Sequence, residues 1–295
     1  MFFNILRYLT THPLNKDHKF RSLVRFIKWQ LGSRLVPGET VYSWIDGSKF
    51  YVKTGETSLV LNIYTGLYEF EDMGYLLHVL RPNDLFIDVG ANVGSYTILA
   101  SAVRGASCYS FEPIPETYNR LENNIRLNNI ESKVKALNVG LGCKEGVIKF
   151  THDLGAMNRA IVVGESYENA INVNITTLDD VLKNESPSLL KIDVEGFEAA
   201  VLEGASETLG KYSLHSVILE LNGSGMKYNH NESRIHGIMS DYGFNPYSYD
   251  PLSRILLNYD SSKKRSDNTL FIRDDVAVLE RLKSAPFVNV HGKHF

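Results

Sequence analysis

The sequence predicts an α/β protein built on a doubly wound, mostly parallel sheet and preceded by an N-terminal α+β extension. Three observations lead there. Residues 84–112, DLFIDVGANVGSYTILASAVRGASCYSFE, read as a buried strand over 85–89, a tight turn with Gly90 and Gly94, a helix to about Val103, and a second strand over 108–111 that ends on Glu112. Strand and helix patterns then alternate through residue 242, which argues for parallel pairing. Two of the later strands, 188–193 and 216–220, each finish on a carboxylate, as strands do when their ends border a ligand crevice.

The first 38 residues set the extension apart. They carry Arg7, Lys16, Lys19, Arg21, Arg25, Lys28 and Arg34 against Asp17 alone, a net +6, so the remainder of a chain with formal charge −3 carries −9. Apolar residues recur there at helical spacing (Phe2, Ile5, Leu6, Leu9, then Phe20, Leu23, Val24, Ile27, Leu31) and predict two helices within the first 33 residues. The stripes either pack on the main domain, leaving the cations solvated, or rest on an anionic membrane surface or a partner. Ordinary core periodicity favours the first. Arg7 interrupts the early apolar run before it reaches signal-peptide length, and no uncharged run is long enough to cross a bilayer. Cys108 and Cys143 cannot make a disulfide framework, and neither lies in a metal-type cluster. The expectation is a cytoplasmic protein, with peripheral membrane contact as the alternative.

Pro37-Gly38 then marks a change of period. Residues 41–45 and 49–53 alternate about Asp46-Gly47, the dipeptide of a type I′ hairpin turn. Residues 64–69 lead into a helix over about 71–80, stopped by Pro82. The extension is placed at 1–82 and the main domain at 83–295. In the latter, Pro115 opens a helix ended by Asn128-Asn129, and 134–141 forms a third strand. Short strands at 147–150 and 171–175 flank a polar segment with Met157, Asn158 and Arg159. Thr176 or Thr177 caps a short helix. Phe197, Val201, Ala205 and Leu209 stripe a helix for which Gly210 is the stop signal. A helix over 233–242 and strands over 247–250 and 269–272 follow, the latter two joined by a basic loop at 261–267 into an antiparallel hairpin at one edge. His152, His215 and His230 have no partner that the sequence identifies, and each is expected to be satisfied or exposed rather than catalytic.

The glycine turn predicts a nucleoside-bearing ligand. A strand must reverse into a helix against ligand or helix at Gly90, the helix start offers backbone N–H groups to a carboxylate or phosphate, and Glu112 stands near the offset at which an acid meets ribose hydroxyls. The dinucleotide pattern G-x-G-x-x-G is broken, because Asn92 occupies its central glycine and fills space that a pyrophosphate needs. That turns the reading from an NAD-dependent oxidoreductase toward a ligand that presents only an amino-acid head group.

FIDVGANVGSYTILAS, FEP at 111–113, the following NNIRLNN, TTLDDV at 176–181 and LLKIDVEGFEAAVLEGA at 189–205 together resemble the FkbM-type family of S-adenosylmethionine-dependent methyltransferases. The similarity runs from about residue 67 to 272. It implies a seven-stranded sheet with an antiparallel last strand. It also implies that Asp88, Gly90, Asn92 and Gly94 line the methionine end of S-adenosylmethionine, that Glu112 holds the ribose, that Pro113, Asn138 and Val139 flank adenine, and that Glu69 closes over the cofactor.

Methyl transfer to a hydroxyl or amine needs alignment and a proton acceptor. Asp193 is the expected base or acceptor-orienting residue, with Glu195 and Glu220 shaping the pocket. A variant places a hard divalent cation such as Mg on Asp193, Glu220 and Asn222, but no sequence feature demands a metal. For Glu198 the favoured role is a charged first helical turn. The resemblance points to O-methylation of a sugar hydroxyl on a glycan or a small secreted metabolite, without nucleic acid as partner. The competing class is a non-catalytic scaffold docked on a glycan assembly complex.

Overall fold

A computed structural model of the chain describes residues 2–36, 38–162, 164–228, 232–260 and 266–295. Pro37, His230 and most of the basic loop at 261–267 lie outside the described residues.

The N-terminal part comprises α1 (Phe2–Thr11), α2 (Lys19–Leu35), the strands β1 (Thr40–Ser43) and β2 (Lys49–Val52), α3 (Thr57–Thr65) and α4 (Phe70–Val79). The β1–β2 hairpin is antiparallel, but its loop has five residues rather than two: the Trp44 N–H bonds the Ser48 carbonyl, and Asp46 and Gly47 both take positive φ at the tip. The helix α3 has no strong period in the sequence and is found only in the structure.

The central unit opens with β3 (Leu85–Val89), the short α5 (Ser95–Ile98) continuing as a π-helical turn (Leu99–Val103), β4 (Ser107–Phe111), α6 (Pro115–Leu127) and β5 (Val134–Leu137). Next come β6 (Gly140–Leu141), β7 (Gly146–Thr151), β8 (Ala170–Thr176), α7 (Leu178–Val181), β9 (Leu189–Ile192), α8 (Glu198–Glu203), α9 (Ser206–Gly210) and β10 (Ser216–Glu220). The chain continues through α10 (Glu232–Asp241), β11 (Asn245–Asp250), β12 (Ile255–Asn258), β13 (Asn268–Ile272), α11 (Asp275–Lys283), and the two-residue strands β14 (Asn289–Val290) and β15 (Lys293–His294).

The main sheet runs β12-β11-β13-β10-β9-β3-β4-β5. Its five strands from β10 to β5 pair in parallel, and β13 lies antiparallel between β10 and β11. The seven expected strands are therefore present with the antiparallel last strand. An eighth, β12, adds to β11 and takes the edge that the 247–250 strand was expected to hold. The third strand breaks after Leu137, and residues 140–141 leave it for a second, three-stranded sheet with β7 and β8. The stripe over 197–209 is two helices rather than one. Gly204 packs so closely on the Gly142 backbone that a Cβ would collide with its carbonyl, and the helix is broken there. Gly210 ends α9 without the positive φ of a glycine stop. Thr177 is the cap of α7, its Oγ1 accepting the Asp180 N–H at 3.1 Å.

Two apolar layers flank the sheet. One joins Phe86, Leu189 and Ile218 to Leu67, Phe70, Met73, Leu76, Val79 and Leu80, so α4 packs into the main core, as do Leu14 and Ile45. The other joins Ile87, Leu190 and Val217 to Val201, Leu209, Ile235 and Met239. A separate cluster of Leu9, Phe26, Phe50, Leu59, Ile63 and Tyr64 seats α1, α2 and the hairpin against Val93 and Ile98.

Candidate active site

The carboxyl ends of β3, β4, β9 and β10 open onto a cleft of about 400 Å³. Its walls include Asp88, Val89, Gly90 and Asn92 from the first turn, Phe111, Glu112 and Pro113 from the second, and Asp193, Val194, Glu195 and Glu220 from the later strand ends. Such a crevice is the expected ligand position in an open parallel sheet.

The glycine turn fits its strand neighbour rather than a ligand. Gly90 has φ 79°, and a Cβ there would lie within contact distance of the Asp193 carbonyl oxygen. Within the protein, the collision that excludes a side chain is with the backbone beyond β9. Ala at position 90 is expected to cost about 3 kcal/mol or more, combining left-handed strain with displacement of Asp193. A thermal denaturation midpoint for Gly90→Ala within about 2 °C of wild type would contradict this. Gly94, with φ 93°, is held off Leu121 in the same way.

Asn92 takes φ 51°, and its Oδ1 accepts the Val93 N–H at 2.8 Å, so its side chain is folded onto its own turn. The Asn92 N–H bonds Glu112 Oε2 at 3.0 Å, and the Gly94 N–H bonds the Ala91 carbonyl at 2.9 Å. These three donors are partnered within the turn itself and lie ahead of the first turn of α5, whose N–H groups are the ones expected from sequence to face an anion. Glu112 also accepts the Ile114 N–H at 2.9 Å, which ties both loops together. Burial pushes its pKa up to about 7 against these two bonds. A carboxylate can accept more than two hydrogen bonds, so capacity for ribose hydroxyls remains.

Asp88 is buried at the end of β3 and accepts Thr97 Oγ1 at 2.7 Å; burial raises its pKa, with Lys191 opposing. Apolar walls at Ile114, Val139, Leu141 and Phe150, beside Pro113, form the far end of the cleft. Asn138 does not line it. That residue is exposed, and its amide donates to the carbonyls of Glu112 and Pro113 at 2.9 and 3.0 Å, so it holds the loop, whereas Val139 lines the cleft.

The near end is crowded with acids. Carboxylate oxygens of Asp193, Glu195 and Glu220 lie within 4.8 Å of one another. Glu69 also faces the cleft, its Oε1 accepting Asn268 Nδ2 at 2.9 Å. Burial first, then the charges of its neighbours, raise the pKa of Glu69, and the same holds for Glu220. Burial and Asp193 push Glu195 up to about 7. Glu195 sits at φ 54°, a left-handed conformation that is costly for a glutamate and that clusters at functional sites. Glu198 is different: it is buried, and its Oε1 accepts the N–H groups of Val194 and Gly196, shaping the loop that carries Glu195. The three clustered carboxylates could hold a hard cation. Asn222 does not extend that set, because its NH2 group points at Glu220 Oε1 at 3.0 Å.

Lys191 is the main residue missed at the sequence level. It is buried within β9, donates to Asp193 Oδ2 at 2.7 Å, and stands 4.5 Å over the Tyr96 ring. Burial opposes its charge, but Asp193, Glu69 and Asp88 around it more than offset that and hold its pKa up. A lysine inside the apolar run LLKI was the available signal. The segment 154–158, Leu-Gly-Ala-Met-Asn, between β7 and β8 also reaches the cleft, although no motif in its sequence marks it. The histidines lie as expected where described: His152 is exposed and pairs with the Asn169 carbonyl, and buried His215 pairs with Ser216 Oγ at 2.8 Å.

A doubly wound sheet with the antiparallel β13, a glycine turn at its first strand and an acid at its second defines a class I, Rossmann-like methyltransferase architecture. The chain belongs to the FkbM methyltransferase family, whose domain model matches residues 88–246. It is 28% identical over 209 residues to methyltransferase sdnD of Sordaria araneosa, covering 59% of this chain and 79% of that protein. It is 31% identical over 150 residues to the hexuronic acid methyltransferase AglP of Haloferax volcanii, covering 50% of this chain and 59% of that protein. A solved structure of methyltransferase FkbM from Methylobacillus flagellatus superposes with a TM-score of 0.46 at 15% identity, over 73% of this chain and 52% of the other.

The residues present suit S-adenosylmethionine. The acid-rich end at Asp88, Asp193 and Glu69 matches a cationic sulfonium and ammonium, the Glu112 carboxylate lining the cleft suits sugar hydroxyls, and the apolar walls suit a purine. The cleft volume is within the usual range for small-molecule sites.

Proposed function

We propose that this methyltransferase uses S-adenosylmethionine to methylate a neutral hydroxyl, most simply on a sugar of a glycan or small metabolite. The observation that carries the reading is the contact between the Gly90 turn and the Asp193 strand end, which sets the acid cluster beside the cofactor end of the cleft. When bound, the cofactor supplies an electrophilic methyl group on a sulfonium.

The chain's own groups divide the remaining work. Lys191 Nζ donates to Asp193 Oδ2 at 2.7 Å and fixes its position, so Asp193 orients the acceptor. Glu195, raised to about 7, is the better proton acceptor near neutral pH, because a base works best when its pKa lies close to the working pH. This moves the base from Asp193, the sequence-based choice, to Glu195. An acidic rim disfavours an anionic acceptor, which supports a neutral hydroxyl. The name of AglP, a hexuronic acid methyltransferase, supports a sugar-derived acceptor as a class; because a hexuronic acid is an anion, the preference for a neutral acceptor rests on the acidic rim alone.

Calorimetry with S-adenosylmethionine, S-adenosylhomocysteine and NAD tests the cofactor. The first two are expected to bind at micromolar Kd and NAD not at all. Binding of NAD alone, or of none of the three, would overturn the reading. Incubation with the cofactor and a panel of neutral, acidic and amino sugars is then expected to add one methyl group to a neutral member.

A further inference from the structure

We propose that the outward face of α2 docks this protein on an anionic lipid surface. The helix, KFRSLVRFIKWQLGSRL, has 17 residues and no acid. Its inward face is accounted for: Ser22 and Phe26 are buried, the Phe26 ring packs 5.1 Å from that of Tyr64, and Gln30 Nε2 donates to Tyr64 Oη at 2.8 Å. The outward face has no such cover. Phe20, Ile27, Leu31 and Leu35 are 79%, 52%, 59% and 81% exposed, at spacings of 7, 4 and 4 that put them on one stripe.

A solvent-facing helix surface normally centres on charge. Here the centre is apolar and the cations lie on its flanks, Arg21 and Lys28 on one side and Arg34 on the other, all exposed. Val36, 57% exposed, extends the stripe past the helix end. Scattered exposed apolar residues need no explanation, but an apolar stripe edged by cations is the pattern of a helix lying in a membrane interface. The charge distribution selects the occupant. With +6 on residues 1–38 and −9 on the rest, the net positive charge is concentrated in the segment that carries this helix, which is what an anionic surface attracts. Spanning is not the mode, because no helix among the described residues is long and apolar enough to cross a membrane.

Docking also bears on the reaction. The stripe's inner partner, α3, contributes Leu61 and Asn62 to the cleft, so α2 lies one helix away from the site, about 10 Å. If the proposed function holds, lipid-borne acceptors would be within reach; the docking itself does not depend on that reading.

The test is sedimentation of the full chain with vesicles of phosphatidylglycerol and phosphatidylcholine, against phosphatidylcholine alone, with neither cofactor nor acceptor. Binding to the anionic vesicles, weakened by high salt, is expected. Arg21→Gln/Lys28→Gln should weaken it about 25-fold, at about fivefold (about 1 kcal/mol) per cation. Phe20→Ser/Ile27→Ser/Leu31→Ser should abolish it, while thermal melting shows both variants folded. Failure to sediment, equal binding to phosphatidylcholine, or variants that bind like wild type would each overturn the proposal. So would self-association that the serine variant abolishes, which would make the stripe a contact between copies of this chain.

Discussion

Substituting Glu195 by Gln is expected to lower kcat by about 10²- to 10⁴-fold, the usual worth of a positioned proton acceptor, while leaving the Kd for S-adenosylmethionine within about threefold. The pH dependence makes the test specific. Burial and the neighbouring Asp193 push the Glu195 pKa up to about 7, so its basic form is present above that pH and lost below it. Wild-type kcat/KM should therefore climb about tenfold per unit toward pH 7 and level off above it. In Glu195→Gln the residual activity should lose that limb. Because Gln can adopt the same backbone and keeps one acceptor oxygen, a purely structural role would leave the limb in place. An unchanged acidic limb in the variant would return the base to Asp193.

The reassignment from Asp193 to Glu195 shows what could be read in advance and what could not. The run IDVEGFE was legible as a strand end followed by a loop and helix, and with it the gathering of acids at the sheet's carboxyl edge. Pattern and spacing report which residues reach an edge. They do not report which of three carboxylates has a lysine beside it, because the partner lies two residues back, where period-two alternation marks it only as a charged intruder in an apolar strand. The 3₁₀ hairpin loop, the break at Gly204 and the edge strand β12 were illegible for a similar reason. Each follows from contacts between distant segments, such as Gly204 against Gly142, rather than from local propensity. The hydrogen bonding of Asn138 was illegible likewise: the residue stands at the expected strand end, and its amide satisfies two carbonyls of the neighbouring loop. By contrast, the glycine turn and Glu112 were readable, since a positive φ and an acid at fixed offset are demanded by the turn itself.

Removing Lys191 tests the electrostatic frame of the site. Its ammonium is buried and faces Asp193, Glu69 and Asp88, so Lys191→Met leaves their charges uncompensated in a place where water cannot screen them. Breaking a buried pair from one side typically costs about 3–5 kcal/mol, which in a chain of this size lowers the thermal midpoint by about 5–8 °C. The pH dependence has a definite sign. Without the lysine, Glu69 and Asp88, whose folded-state pKa values burial already raises, are raised further, so they oppose folding increasingly as pH climbs from their unfolded values through the folded ones. The deficit of Lys191→Met relative to wild type should accordingly be largest near pH 8 and shrink toward pH 4, as these carboxyls become protonated. Adding Asp193→Asn should recover part of the loss at pH 8, because one of the stranded charges is then gone; a deficit that is the same at both pH values, or unrelieved by Asp193→Asn, would mean that Lys191 acts through packing on Tyr96 and not through its charge.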